Sequence, residues 1–356
     1  MEINKHGGDI YSHQDKKGRF PLDFSANVNP LGLPAAVRKE IKRSFREFTF
    51  YPDTDCGALR EAIARFEGID RAHILCGNGA GDLIFRFAYA IKPRRALLIS
   101  PTFSEYEAAL RNAGCEMFYY DLNRDDQFQI HEDILEMIPA MDILFICNPN
   151  NPTGQLTPKS MLVKIAEACR AAECVFVIDE CFIDFLEHQE NFTMKDEVVK
   201  FGNLIILKAF TKIFALAGIR LGYCLCSNKE LLGKVFSSGQ PWSVSVVAQR
   251  SGIAALKDRN YLMKTRSDTS KERRFLKENL ESLGIEVFES DANFLLFYFK
   301  NSEWEDSLYE KLLEKGILIR RCENFRGLDS GYFRIAVKGH KDNVKLVKAF
   351  SQLLKH

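Results

Sequence analysis

Residues 143–180 read ILFICNPNNPTGQLTPKSMLVKIAEACRAAECVFVIDE. The segment opens on an unbroken apolar run, Ile143 to Cys147, stopped by the turn-forming cluster Asn148 to Gly154. A helix is predicted from Pro158 to about Ala172, because Leu162, Ile165, Ala166 and Cys169 recur at the spacing of one helical face. A second apolar run, Val175 to Ile178, then ends in Asp179-Glu180. Neither run alternates polar with apolar residues, so each strand is expected to be buried on both faces. Two such strands joined by a helix imply a parallel pair inside a helix-covered sheet.

The same alternation extends on either side. Upstream, Ile74 to Cys76, Ala96 to Ser100 and Cys115 to Tyr120 read as strands, with helices through Tyr89 and to about Asn112 between them. Downstream, Leu204 to Leu207 and Tyr223 to Cys226 supply two more. The predicted class is α/β, with a mostly parallel, doubly wound, seven-stranded sheet. The first 34 residues contain much Gly, Pro, Asn and Asp and read as an irregular arm. Helices are expected at 35–45 and 58–66, separated by the turn Phe50 to Gly57. After Pro241 the texture changes to charged helices at 245–257 and 260–283. Strands follow at 285–288 and 292–297, then a helix from Glu305 to Lys315, strands at 317–320 and 332–337, and a last helix. The expected organisation is an arm (1–34) joining a smaller α+β domain (241–356), beside a large α/β domain (35–240).

Composition narrows the function classes. Of 356 residues 46% are hydrophobic and 27% charged, as in an ordinary globular protein. The 49 basic and 48 acidic residues leave a net charge of +1, so no field attracts nucleic acid. Ten cysteines without a Cys-x-x-Cys pair predict neither a disulfide framework nor a metal site. No apolar run approaches the ~20 residues that span a bilayer. The N-terminus lacks the apolar core of a signal peptide. A cytoplasmic, reduced protein is expected.

In doubly wound sheets ligands bind at the carboxyl ends of the strands, and the distinctive residues fall there. Gly77-Asn-Gly-Ala-Gly81 lies between a strand and a helix, where the amides of Gly79, Ala80 and Gly81 can face a phosphate. A dinucleotide site would need Gly-x-Gly-x-x-Gly and an acidic end to the next strand, where Ser100-Pro101 stands instead. Lys212 sits in the apolar stretch Leu207 to Tyr223. A lysine in such surroundings loses its proton more readily and can condense with a carbonyl. Arg220, eight residues on, can hold a phosphate bidentately. The pair points to a cofactor that is both aldehyde and phosphate ester, pyridoxal 5'-phosphate (PLP). Asp179 is then either a helix cap or the carboxylate that keeps a pyridine nitrogen protonated. Asn151 is a turn residue or a partner of the cofactor phenolate, and Phe103 is core or stacks on the ring.

Taken together, Gly77-Asn-Gly, Asn151-Pro-Thr-Gly, Asp179-Glu-x-Phe, Thr211-Lys212 and Arg220-Leu-Gly-Tyr resemble, in order, the aspartate-aminotransferase superfamily of fold-type I PLP enzymes. The resemblance covers essentially the whole chain. It implies that Lys212 carries the cofactor covalently, that Asp179 pairs with the ring nitrogen, and that Asn151 bonds the phenolate. It also implies that Gly79, Ala80, Gly81 and Arg220 hold the phosphate, and that Phe103 stacks. Tyr51, in Tyr-Pro-Asp, resembles the tyrosine that reaches the neighbouring subunit's cofactor, which implies a homodimer.

Two branches compete, histidinol-phosphate aminotransferase and the L-threonine-O-3-phosphate decarboxylase of cobalamin biosynthesis. His6-Gly7-Gly8, Asp23 to Gly32, Asp179 to Phe185 with Phe182 in place of a tyrosine, Pro241-Trp-Ser-Val and Gly327-Leu-Asp-Ser are more similar to the decarboxylases. That branch implies that His6, Gly7, Asn27, Asn151, Arg320 and Arg334 contact a phosphorylated amino acid. Its reaction yields (R)-1-amino-2-propanol O-2-phosphate and CO2. A transaminase, a serine-phosphate decarboxylase and a regulatory PLP-binding module are the alternatives. Two positions depart from the superfamily: Ala209 stands where a serine or threonine usually bonds the phosphate, and Lys208 replaces an arginine. The phosphate cup is expected to be one hydrogen bond short, roughly 0.5–1.5 kcal/mol net.

Overall fold

The computed structural model describes residues 6–299 and 307–354. Its centre is a seven-stranded sheet built from β2 (Ile74–Gly77), β3 (Arg95–Ser100), β4 (Glu116–Asp121), β5 (Ile143–Cys147), β6 (Val175–Asp179), β7 (Leu204–Ala209) and β8 (Gly222–Leu225); β1 (Leu22–Asp23) lies elsewhere. The order is β2-β8-β7-β6-β5-β3-β4, and every pairing is parallel except the two made by β8. The unbroken apolar runs have the expected cause. Leu144, Ile146, Phe176, Ile178, Leu204 and Ile206 enter one core layer, with the helix Lys159–Ala171 on that side. Their neighbours Ile143, Phe145, Val177, Ile205 and Leu207 enter the other, under the helix Ala80–Ile91. Each fully buried Leu, Ile, Val or Phe contributes about 1.5–3 kcal/mol, so both faces hold the sheet.

The second half of the chain builds a four-stranded antiparallel sheet, β12-β13-β10-β9, from β9 (Glu286–Val287), β10 (Phe294–Tyr298), β12 (Arg320–Arg321) and β13 (Tyr332–Ala336). β11 (Ile317–Leu318) pairs instead with β1. Residues 317–320, expected as one strand, are therefore divided between two sheets. The arm takes the first pair through β1, and β13 takes Arg320 and Arg321. No local pattern marks that division, because β1, the partner of the first pair, is remote in sequence. The arm is correspondingly less irregular than expected. Phe24 is fully buried, its N–H donates to Leu318 O at 2.7 Å, and its carbonyl accepts from Ala336 N at 2.7 Å. The first helix stops at Arg43, earlier than predicted. There the Ser44 hydroxyl donates to the Glu40 carbonyl at 2.9 Å, competing with the helical ladder. The helix start expected at Glu305 lies outside the described residues; the helix is seen as Leu308–Glu314.

Candidate active site

A cavity of about 420 Å³ opens at the carboxyl ends of β5, β6 and β7. β6 delivers Asp179, which is buried and doubly held. Its Oδ2 accepts from the Tyr106 hydroxyl at 2.7 Å and its Oδ1 from the Cys181 amide at 2.9 Å. β7 ends at Ala209 and turns at once into the short helix Phe210–Ile213, which carries Lys212. The arm braces that turn. Asn29 N–H donates to Lys212 O at 3.2 Å, and the Asn29 side chain donates to Ile213 O at 2.7 Å and Thr265 Oγ1 at 2.8 Å. Burial, with the charges of Arg334 and Arg220, pushes the Lys212 amine down to about 8 against the pull of Cys181 and Asp179. Its Nζ lies 5.7 Å from the centre of the Phe182 ring.

The cup between β2 and the helix Ala80–Ile91 is a backbone device. Gly79 has φ of 86°, and a Cβ there would stand 2.8 Å from Arg220 Nη2. A side chain at Gly222, where β8 begins, would meet Ala80 N at 2.5 Å and Gly79 C at 2.7 Å. Only glycines let β8, the Arg220 guanidinium and the start of the helix Ala80–Ile91 come this close. Ala209 lines the cavity and Lys208 does not, because successive strand residues face opposite ways. The lysine-for-arginine change thus bears on the packing behind the cup. There Lys208 Nζ contacts Glu67 Oε1 at 2.9 Å and Asp184 Oδ1 at 3.0 Å, and the Tyr223 hydroxyl donates to Glu67. Burial opposes the Lys208 charge, but its carboxylate neighbours, Asp184 foremost, outweigh that and hold the amine above its usual range.

The opposite wall is cationic. Arg320 and Arg334 are directly paired across β12 and β13. Arg334 is buried, donating through Nη1 to Asn151 Oδ1 and through Nη2 to Ser25 O at 2.9 Å. Burial brings its pKa down to about 10. Its Nε and the buried Oδ1 of Asn27 have no hydrogen-bond partner among the described residues. Such groups cost about 1–3 kcal/mol each unless something completes them, and both belong to this cavity. Arg320 donates to Asn324 Oδ1 at 2.6 Å. The arm closes the rim: His6 Nε2 pairs with Glu105 Oε1 at 2.8 Å, and Gly8 N–H donates to Ser25 Oγ at 2.7 Å.

His6, Gly7, Asn27, Ala80, Gly81, Phe103, Asn151, Asp179, Lys212, Arg220, Arg320 and Arg334 therefore share one cavity wall, though the chain separates them by up to 328 positions (334 − 6). Gly79 stands directly behind it, against Arg220. Tyr51 is outside; it is exposed and stacks on Trp242 with ring centres 4.6 Å apart. Sequence reading missed Tyr106, Cys147, Cys181, Ser25 and Phe325 as lining residues. For Tyr106 the only local signal is an aromatic on a helix face, which reads as core. No group of His, Cys, Asp and Glu among the described residues is arranged to hold a metal ion.

Pyridoxal phosphate fits this wall: a glycine-walled cup with an arginine, a buried carboxylate, a lysine of lowered pKa, and two polar atoms awaiting partners. The comparisons agree. The model of the family described as aminotransferase class I and II matches residues 21–350. A threonine-phosphate decarboxylase from Salmonella typhimurium is 37% identical over 98% of this chain and 96% of its own. The histidinol-phosphate aminotransferase from Clostridium acetobutylicum superposes with a TM-score of 0.88 at 33% identity, covering 94% of this chain and 99% of that one. L-threonine-O-3-phosphate decarboxylase from Porphyromonas gingivalis superposes with a TM-score of 0.82 at 26% identity, covering 94% and 100%. With a family match across most of its length and a relative this similar end to end, the chain belongs to the class I and II aminotransferase family.

Proposed function

We propose that the protein is a PLP-dependent decarboxylase. Its substrate is L-threonine O-3-phosphate, and its products are (R)-1-amino-2-propanol O-2-phosphate, for the cobalamin side chain, and CO2. The observation that carries this reading is the pair Arg320 and Arg334, side by side across one ladder and facing the lysine. Two guanidiniums with an unpartnered Nε suit a ligand with two anionic ends, a carboxylate and a phosphate.

Pyridoxal phosphate, when bound, supplies the sink for the electron pair released as a bond at the substrate α-carbon breaks. The chain does the rest. Ala80, Gly81 and Arg220 would hold the phosphate, with Gly79 giving the guanidinium room, and Phe103 would cover the ring. Asp179 would pair with the ring nitrogen. Asn151, held by Arg334, would bond the phenolate, and Phe182 would bring no hydroxyl there. Lys212, partly neutral near pH 8, would carry the cofactor and would give the substrate α-carbon the proton that takes the place of the departing CO2. His6, Gly7, Asn27, Arg320 and Arg334 fix both anionic ends, so that the carbon–carboxylate bond, not the carbon–hydrogen bond, is the one aligned to break.

In this reading residues 1–34 join 241–356 as a small domain that presents the substrate residues to the cofactor residues of 35–240. A second copy of the chain brings its Tyr51 to the site. The buried, unpaired cysteines support a reducing, cytoplasmic setting. Transamination is the second reading, favoured by the likeness to the histidinol-phosphate enzyme. The deciding experiment incubates the PLP-loaded protein with threonine phosphate and no 2-oxo acid. Stoichiometric CO2 is expected; turnover that appears only with 2-oxoglutarate, without CO2, would replace decarboxylation by transamination. Serine phosphate runs in parallel, since the missing methyl is worth only ~1–3 kcal/mol of discrimination.

A further inference from the structure

Tyr106 is among the largest fully buried side chains, and it lines the cavity. The ring is fixed on two sides, stacked on Phe145 at 5.0 Å and 18°, and edge-on to Phe103 at 5.6 Å and 82°. A phenylalanine would make the same packing. The hydroxyl is what packing does not require, and it is aimed at Asp179 Oδ2 from 2.7 Å. We infer that Tyr106 is a positioning residue that acts through Asp179, fixing the carboxylate's orientation and keeping the shared proton on the cofactor ring.

The chemistry runs through three groups. Asp179 Oδ1 already accepts the Cys181 amide, so the phenol gives the second oxygen its own donor. Both bonds ask Asp179 to accept, and a carboxylate oxygen accepts better than the hydroxyl of a carboxylic acid. The phenol is itself held well above its usual pKa by burial and by the Asp179 charge, so it stays a donor. A proton shared between Asp179 and a pyridine nitrogen is thereby biased to the nitrogen, the form that withdraws electrons best. The rigid ring contacts set the direction from which the bond arrives. The helix Glu105–Asn112 that carries Tyr106 also carries Glu105, the partner of His6, so arm and carboxylate are braced from one element.

The inference rests on the cofactor reading, and the tests separate the two. Tyr106→Phe is expected to weaken PLP binding about tenfold, read by titrating the apo-protein at equilibrium, since a hydrogen bond to a buried charge is at stake. The ring nitrogen of 15N-labelled PLP in the loaded variant should shift toward its unprotonated position, and kcat should fall while KM holds. In an Asp179→Asn background the same substitution should change binding by less than twofold, because the group it acts through is gone. Binding and a 15N shift like the parent's, with only a lower melting temperature, would make Tyr106 plain core. An undiminished effect in the Asp179→Asn background would likewise overturn its action through Asp179. A parent protein that fails to load PLP would instead reject the cofactor reading.

Discussion

Lys212 owes its lowered pKa to where it is buried. Desolvation, with Arg334 the next cause, lowers the pKa to about 8, against a usual lysine value of ~10.4. The sign follows directly. Below about 8 both folded and unfolded lysines are charged, and the folded one bears a constant penalty. From about 8 to ~10.4 the unfolded chain binds more protons, so this group makes the apo-protein more stable as pH rises. The rate of PLP capture, followed by absorbance, should therefore climb with a midpoint near 8 and then level off. Arg334→Met should move that midpoint upward; a wild-type midpoint near ~10.4 would show that neither burial nor the neighbouring charges lower it. At this scale Lys212, Asp179, Asn151 and Arg220 were legible because each stands in a recognisable motif at a strand end or in the turn beside one. Tyr106 was not, because its role exists only where a helix from one crossover meets the end of another strand.

Among elements, the charge cluster behind the cup ties together the ends of four. Lys208 of β7 lies opposite Tyr223 of β8 in register, and both meet Glu67 at the end of the helix Gly57–Glu67. Asp184, in the turn after β6, completes the set. Lys208 and Glu67 are almost wholly buried, so the pairing is not screened by water. Lys208→Met leaves the buried Asp184 without its counter-charge and Glu67 with the farther Lys195 Nζ, at 3.6 Å, as its remaining cation, and should cost about 3–5 kcal/mol in urea unfolding. Loss below 1 kcal/mol would mean that the cluster neutralises itself by protonation. Strand positions were readable from apolar runs. The splitting of 317–321 between two sheets was not, since Ile317 to Arg321 looks the same whichever backbone pairs with it.

For the whole molecule, Phe45, Phe48, Phe50, Tyr51 and Trp242 are exposed rings, with Phe45 packed on Phe48 at 5.2 Å and Tyr51 on Trp242 at 4.6 Å. Their exposure fits a surface made to be covered, and the proposed cover is a second copy. Phe48→Glu with Phe50→Glu should convert a dimer to monomer in analytical ultracentrifugation and weaken PLP binding, because Tyr51 would no longer reach the other site. A parent protein that sediments as a monomer at micromolar concentration would remove Tyr51 from the reading. Local sequence determined the doubly wound sheet and the residues at its strand ends, because apolar runs, turn clusters and glycines act through neighbours a few positions away. Tertiary structure alone decided that the arm, β12 and β13 bring His6, Asn27, Arg320 and Arg334 to the same cavity as Lys212. In the proposed reading, which bond breaks depends on that convergence, and convergence over more than 300 positions is set by packing between remote surfaces, which no local pattern encodes.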